Sequence, residues 1–208
     1  MLTFCTLFDS NYLDKGLVLY ESMANVMENF KLYILAMDEK CEDILKNMNL
    51  SHSIVISLKE FEDEELLEIK SKRARAEYCW TCTASLIDYV LEKYKEEYCT
   101  YVDSDLYFFK NPQILIEEMI DANCSVQIVE HGFGKGFIAK EKIKGAGRYC
   151  VQFNTFKNDK HGRDILSTWK AQCRNHCSMA PGEMGDQKYL SDWAEKYEQV
   201  HVLQHQGG

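Results

Sequence analysis

The chain has 208 residues, a formal net charge of −9, 46% hydrophobic and 27% charged residues, only two prolines and eleven glycines. That balance predicts one globular domain with a substantial core and no long linkers, and it argues against a nucleic-acid backbone as partner. No apolar run is long enough to cross a bilayer, Met1 leads into a core-like stretch with no basic leader, and the nine cysteines are scattered; together these predict reduced thiols and a cytoplasmic protein, with any membrane association peripheral.

Residues 4–8 read as a first strand. A helix follows through Leu17, Tyr20, Met23, Ala24 and Met27, the last four at the i, i+3, i+4, i+7 spacing of one helix face. Residues 32–37 form a continuous apolar strand that stops at Asp38, then a polar helix spans 39–48 and a short strand 54–56. Residues 60–70 are acidic and predict a solvated helix. A longer helix, 74–95, carries Ile87, Val90, Leu91 and Tyr94 on one face and leads into strand 98–102, which ends at Asp103. Asn111-Pro112 opens another helix, with Asn as cap and Pro at the first helical position. Strands at 125–129 and 152–156 come next, then helices at 163–177 and 186–196 and a last strand at 200–203. The alternation predicts a single α/β domain with a largely parallel sheet covered on both faces, and ligands outside the carboxyl ends of its strands.

Asp103-Ser104-Asp105 stands at such an end. Two carboxylates at i and i+2 of an extended segment point the same way and repel unless a cation or a shared proton relieves them. Oxygen ligands of this kind suit Mn²⁺ or Mg²⁺ held jointly with substrate phosphates. The plain alternative is an Asp-rich turn between two strands, since Leu106-Tyr107-Phe108-Phe109 follows.

Tyr101-Val102-Asp103-Ser104-Asp105-Leu106 resembles the hydrophobic-DxD segment of GT-A glycosyltransferases, particularly glycosyltransferase family 8. Three further segments match in order: Phe8-Asp9-Ser10-Asn11-Tyr12, Gly185-Asp186-Gln187-Lys188-Tyr189-Leu190, and the C-terminal stretch from His201 to Gly208. The resemblance implies a GT-A fold and metal-assisted transfer of a sugar from a nucleotide-sugar, UDP-linked by preference, to a glycan or lipid-linked acceptor with retention. It implies Asp103, Asp105 and His205 as metal ligands. Asp9, Asn11 and Tyr12 would hold base and ribose, with Tyr12 stacked on the ring. Asp186 and Gln187 would face the transferring sugar. Each residue has a plainer role available: Asn11 or Asp186 as a helix cap, His205 as an exposed histidine. His201, in a Val-flanked strand, reads as structural.

The family also carries a basic residue that contacts phosphate. Lys72, Arg73 and Arg75 are the candidates, with Arg73 taken as the nucleotide contact. Cys150-Val151-Gln152 stands where the family has Asn-x-Gly, and the segment that closes over the diphosphate, after the HxxG motif, is expected to be missing. Cys79-Trp80-Thr81-Cys82 and the Cys173 to Cys177 pair read as buried thiols in helices rather than a zinc or redox site. The Gly-rich stretch 131–137 lacks P-loop spacing and reads as a turn or a mobile loop with Lys135 near phosphate. Tyr107, Phe108, Phe109 and Trp169 read as core. A haloacid-dehalogenase phosphatase would place its DxD on the first strand, and a catalytically inactive nucleotide-binding remnant is the non-enzymatic alternative.

Overall fold

The computed structural model describes residues 1–134, 136–180, 182–205 and 207. Seven strands form one sheet: β1 (Leu2–Phe8), β2 (Phe30–Ala36), β3 (Ser53–Ser57), β4 (Tyr98–Val102), β5 (Val126–Glu130), β6 (Tyr149–Lys157) and β7 (Val200–Val202), in the order β3-β2-β1-β4-β6-β5-β7. Pairing is parallel from β3 through β4 and between β5 and β7, whereas β6 runs antiparallel to both β4 and β5. The sheet is therefore mostly parallel, with one reversed strand that the alternation of elements did not announce.

Helices cover both faces. On one lie α1 (Leu13–Val26), α2 (Glu39–Met48) and α6 (Gln113–Asp121), which bury Leu19, Met23, Leu45 and Ile116 against Phe4, Leu32, Ile34 and Phe153. On the other, α5 (Arg75–Tyr94) and α8 (Lys160–Asn175) pack Ile87, Val90, Leu91, Ile165 and Trp169 on Tyr33, Leu35, Tyr101 and Phe156. Fully burying each such side chain contributes roughly 1.5–3 kcal/mol. The acidic segment after β3 is two helices, α3 (Leu58–Phe61) and α4 (Glu64–Lys70), because Asp63 accepts the Leu66 N–H at 2.8 Å and starts a new helix.

Two more differences from the sequence expectation concern the second half. The Gly-rich stretch 131–137, read as a turn or loop, runs directly into a helix that the sequence reading did not assign, α7 (Phe137–Ala146). The segment after Gly185 is a 3-10 turn (Gln187–Asp192) followed by α9 (Trp193–Lys196), tighter than the α-helix expected. The Asn111 side chain accepts the Gln113 N–H at 3.0 Å, and Pro112 immediately precedes the first helical residue rather than occupying it.

All nine cysteines are free thiols, most of them buried. No described helix is long and apolar enough to cross a membrane.

Candidate active site

The carboxyl ends of the neighbouring strands β1, β2 and β4 lie side by side, and each is followed within two residues by an aspartate: Asp9, Asp38 and Asp103. In the β1–α1 loop, Asp9 Oδ1 accepts the N–H of Asn11 at 2.8 Å and of Tyr12 at 3.2 Å, an Asx turn that presents both side chains outward. Tyr12 is 46% exposed, with the Lys15 ammonium 4.1 Å from its ring centroid. Asn11 does not cap α1; Tyr12 occupies that position without a side-chain bond.

Asp38 caps α2 by accepting the Cys41 N–H at 2.8 Å, and its other oxygen accepts the Ser10 N–H at 3.0 Å. Arg75, the first residue of α5, reaches across with Nη2 2.5 Å from Asp9 Oδ2 and 3.0 Å from Asp38 Oδ2. Those backbone bonds, together with Arg75, hold the Asp38 carboxyl below its usual range against the opposing effect of burial. One guanidinium thus ties two strand ends together at the rim of a cleft.

That cleft, of about 520 Å³, is lined by Asp9, Asn11, Tyr12, Arg75, Trp80, Tyr101, Asp103, Ser104 and Asp105, among others. Asp103 and Asp105 do not lie in an extended segment, as the i, i+2 argument assumed. They belong to a tight turn closed by the Leu106 N–H on the Asp103 carbonyl at 3.2 Å, and the Asp103 N–H donates to Gln152 O at 3.1 Å. No strand follows this turn: Leu106 and Phe108 pack on the core, while Tyr107 and Phe109, expected to be buried, are 51% and 84% exposed.

Burial first, and then the charge of Asp105, push the Asp103 carboxyl up to about 6, although the Tyr101 hydroxyl stabilises its charged form. Beneath it lies Asp186, 6% exposed and pushed up to about 7 by burial; a Thr83 hydrogen bond opposes the shift, and the Asp103 charge adds to it. Asp186 is held from two sides. Trp169 Nε1–H donates to its carbonyl at 3.0 Å, and Gly185, at φ +51°, lies so close to the Trp80 ring that a Cβ there would overlap the indole. Its side chain caps no helix.

The remaining sequence candidates fall elsewhere. Gln187 Nε2 donates to Ala146 O at 2.8 Å, at the end of α7. Arg73 turns away from the cleft: its guanidinium donates to the Cys173 and Arg174 carbonyls at 2.6 Å each and contacts Thr81, pinning the start of α5 to the end of α8. It lines a separate surface pocket with Glu65, Glu77 and His176. Arg75, two residues on, lines the cleft instead.

His205 does not join the two aspartates either. It is exposed, lines an apolar pocket with Leu106, Phe109 and Leu115, and its Nδ1 accepts the Gly207 N–H at 3.0 Å. Among the described residues, no group of three or more His, Cys, Asp or Glu side chains is placed to hold a metal ion. His201 pairs with Glu118 at 2.6 Å. Lys135, Gln206 and Gly208 lie outside the described residues.

The segment expected to depart from the family is strand β6, where Cys150 is buried and its thiol donates to Val129 O at 3.6 Å, beside a register shift between Gln127 and Val129. Sequence reasoning did not single out Asp38, Trp80 or Tyr101. The first was legible as the polar residue closing an apolar strand, the same signal that marks Asp9 and Asp103.

Uncharacterized protein YfnF of Bacillus subtilis (strain 168) is 33% identical over 204 residues, which cover 95% of this chain and 67% of that protein. Uncharacterized protein YfnD of the same organism is 28% identical over 205 residues, covering 96% and 65%. This chain therefore spans about two thirds of the length of either relative. No family model matches.

Among solved structures, mouse xyloside xylosyltransferase 1 in its apo form superposes with a TM-score of 0.64 at 14% identity, covering 97% of this chain and 84% of that one. Galactosyltransferase LgtC, in complex with donor and acceptor sugar analogs, superposes at 0.59 and 14%, covering 97% and 73%. An LgtC variant with an active-site glutamine changed to glutamate gives 0.60 at 12%, covering 97% and 72%. The fold is GT-A.

Proposed function

This chain belongs to the family of the Bacillus subtilis protein YfnF, and we propose that it is a metal-dependent glycosyltransferase. It would move a sugar from a UDP-sugar to a glycan or lipid-linked acceptor with retention of configuration. One observation carries this proposal: the Asp103–Asp105 turn and the Asp9–Tyr12 loop, far apart in sequence, line one cleft at the carboxyl ends of the parallel strands.

The donor set fits a hard divalent cation, Mn²⁺ or Mg²⁺. Asp103 is pushed up partly by the negative charge of Asp105, and a cation between carboxylates relieves that repulsion. Two carboxylates completed by substrate phosphates are a usual set for such ions. The resemblance adds His205 as third ligand, which would have to leave its pocket beside Leu115 to reach the two aspartates. When bound, the ion would offset the charge of a departing nucleoside diphosphate.

The chain's own residues do the rest. Tyr12 would offer its exposed ring to the base, and Asn11 its amide to base or ribose edges. Asp9, with its oxygens already bonded to the loop and to Arg75, orients the nucleotide loop. Arg75 would approach the diphosphate, a charge suited to an anion beside its aspartate partners. Gln187, with Nε2 held by Ala146 O, has Oε1 to offer the transferring sugar, where positive charge develops. Asp186 sits behind it as a buried carboxyl whose protonation is poised near neutrality.

The test is turnover of a radiolabelled nucleotide-sugar panel with Mn²⁺ or with chelator. The proposal predicts Mn²⁺-dependent release of UDP, lost in Asp103→Asn and Asp105→Asn. Donor binding without any turnover would leave the inactive remnant, and phosphate release from simple esters alone would point to a phosphatase.

A further inference from the structure

Helix α7 differs in surface chemistry from the rest of the molecule. None of its described side chains is buried: Phe137 is 78% exposed, Ile138 72% and Ile143 38%. Lys140, Lys142 and Lys144 stand among them, and none of the three forms an ion pair among the described residues. In a chain of net charge −9, this one helix carries three lysines against a single acid, Glu141.

A ten-residue helix none of whose described side chains is buried is marginal in water. This one is held at its end, where Gln187 Nε2 donates to Ala146 O at 2.8 Å and Lys188 Nζ to Lys144 O at 3.0 Å. Gly136 at φ +106° and Gly147 at φ +95° let the chain enter and leave it sharply. Phe137, Lys140, Glu141 and Lys144 fall at i, i+3, i+4 and i+7, along one line of the helix, with Ile143 flanking it.

We propose that α7 is a docking element for an anionic lipid surface. Phe137 and Ile138 would enter the boundary between headgroups and acyl chains, while the three ammonium groups meet lipid phosphates and their stems lie along the apolar layer. An anionic bilayer satisfies both parts of the surface at once, the unpaired positive charge and the exposed apolar side chains. The proposal stands on α7 alone and does not depend on which donor the cleft takes.

The test is co-sedimentation of the full chain with vesicles of phosphatidylcholine alone or mixed with phosphatidylglycerol. Binding to the mixed vesicles only is expected, with release at high salt. The triple change Lys140→Glu, Lys142→Glu, Lys144→Glu should lower partitioning on the order of a hundredfold, and Phe137→Ala with Ile138→Ala roughly tenfold. Because the substituted side chains are all exposed, both variants should keep the wild-type melting temperature and circular dichroism. The proposal is overturned if neither vesicle binds, if both bind equally, or if the variants bind like the wild type. Capture of an acidic protein through α7 without vesicle binding overturns it too.

Discussion

Replacing Asp186 with Asn should stabilise the metal-free protein at pH 8 and do so by less than half as much at pH 5. The Asp186 carboxyl is raised from 3.8 to about 7 in the folded chain, by burial first. A raised acid binds more protons folded than unfolded between those two values. Stability is therefore fully present below the unfolded pKa and is lost as pH rises through the folded one. Taken whole, the shift corresponds to about 4 kcal/mol at about 1.4 kcal/mol per unit. Relaxation and water penetration around a buried charge reduce this, and about half, roughly 2 kcal/mol, is the working figure. For a chain of this size each kcal/mol moves the melting temperature by about 2–4 °C, so Asp186→Asn should melt about 4–8 °C higher at pH 8. The assay is a thermal scan of both proteins across pH 5–8 with chelator present. Equal destabilisation of the variant at both pH values would refute the reasoning, because it would make Asp186 a satisfied hydrogen-bonding group and not a strained charge.

Tyr12→Ala should raise the KM for the donor roughly tenfold or more through lost base stacking, and Tyr12→Phe should not, as steady-state kinetics will read. Arg75→Ala should weaken nucleoside diphosphate binding about tenfold and lower the melting temperature by a few degrees, because the buried Asp9 carboxylate loses its cation while the pair with the half-buried Asp38 contributes little. Gly185→Ala should lower the melting temperature by several degrees and turnover with it, because a Cβ at φ +51° overlaps the Trp80 ring next to Asp186.

The first half of the fold was legible because its strands are short apolar runs and its helices carry their buried residues at helical spacing. The direction of β6 was not, because a strand's own residues do not state which way its neighbours run. Helix α7 escaped for the opposite reason: its described side chains include none that is buried, so it leaves no periodic apolar signal, and the glycines before it read as a turn. Tyr107 and Phe109 looked like core as part of a run of aromatics, yet only the alternate residues Leu106 and Phe108 pack inward.

At the site, the residues that follow strands directly were legible, since the strand end fixes where they point. Arg73 and Arg75 could not be separated without knowing the start of α5: Arg73 lies before the helix and Arg75 is its first residue, with the extended Ala74 between them, so one guanidinium reaches α8 and the other the strand ends. His205 was placed by resemblance alone. Nothing local in its sequence directs the ring towards Asp103, and it faces the apolar pocket beside Leu115.

The central claim is that Asp103 and Asp105 together hold a divalent cation that binds a nucleoside diphosphate. Isothermal calorimetry of UDP into the chain, with Mn²⁺ and then with chelator, tests it most directly. The account predicts UDP binding that requires Mn²⁺ and falls at least tenfold in Asp105→Asn. UDP affinity indifferent to both the metal and Asp105 would contradict it.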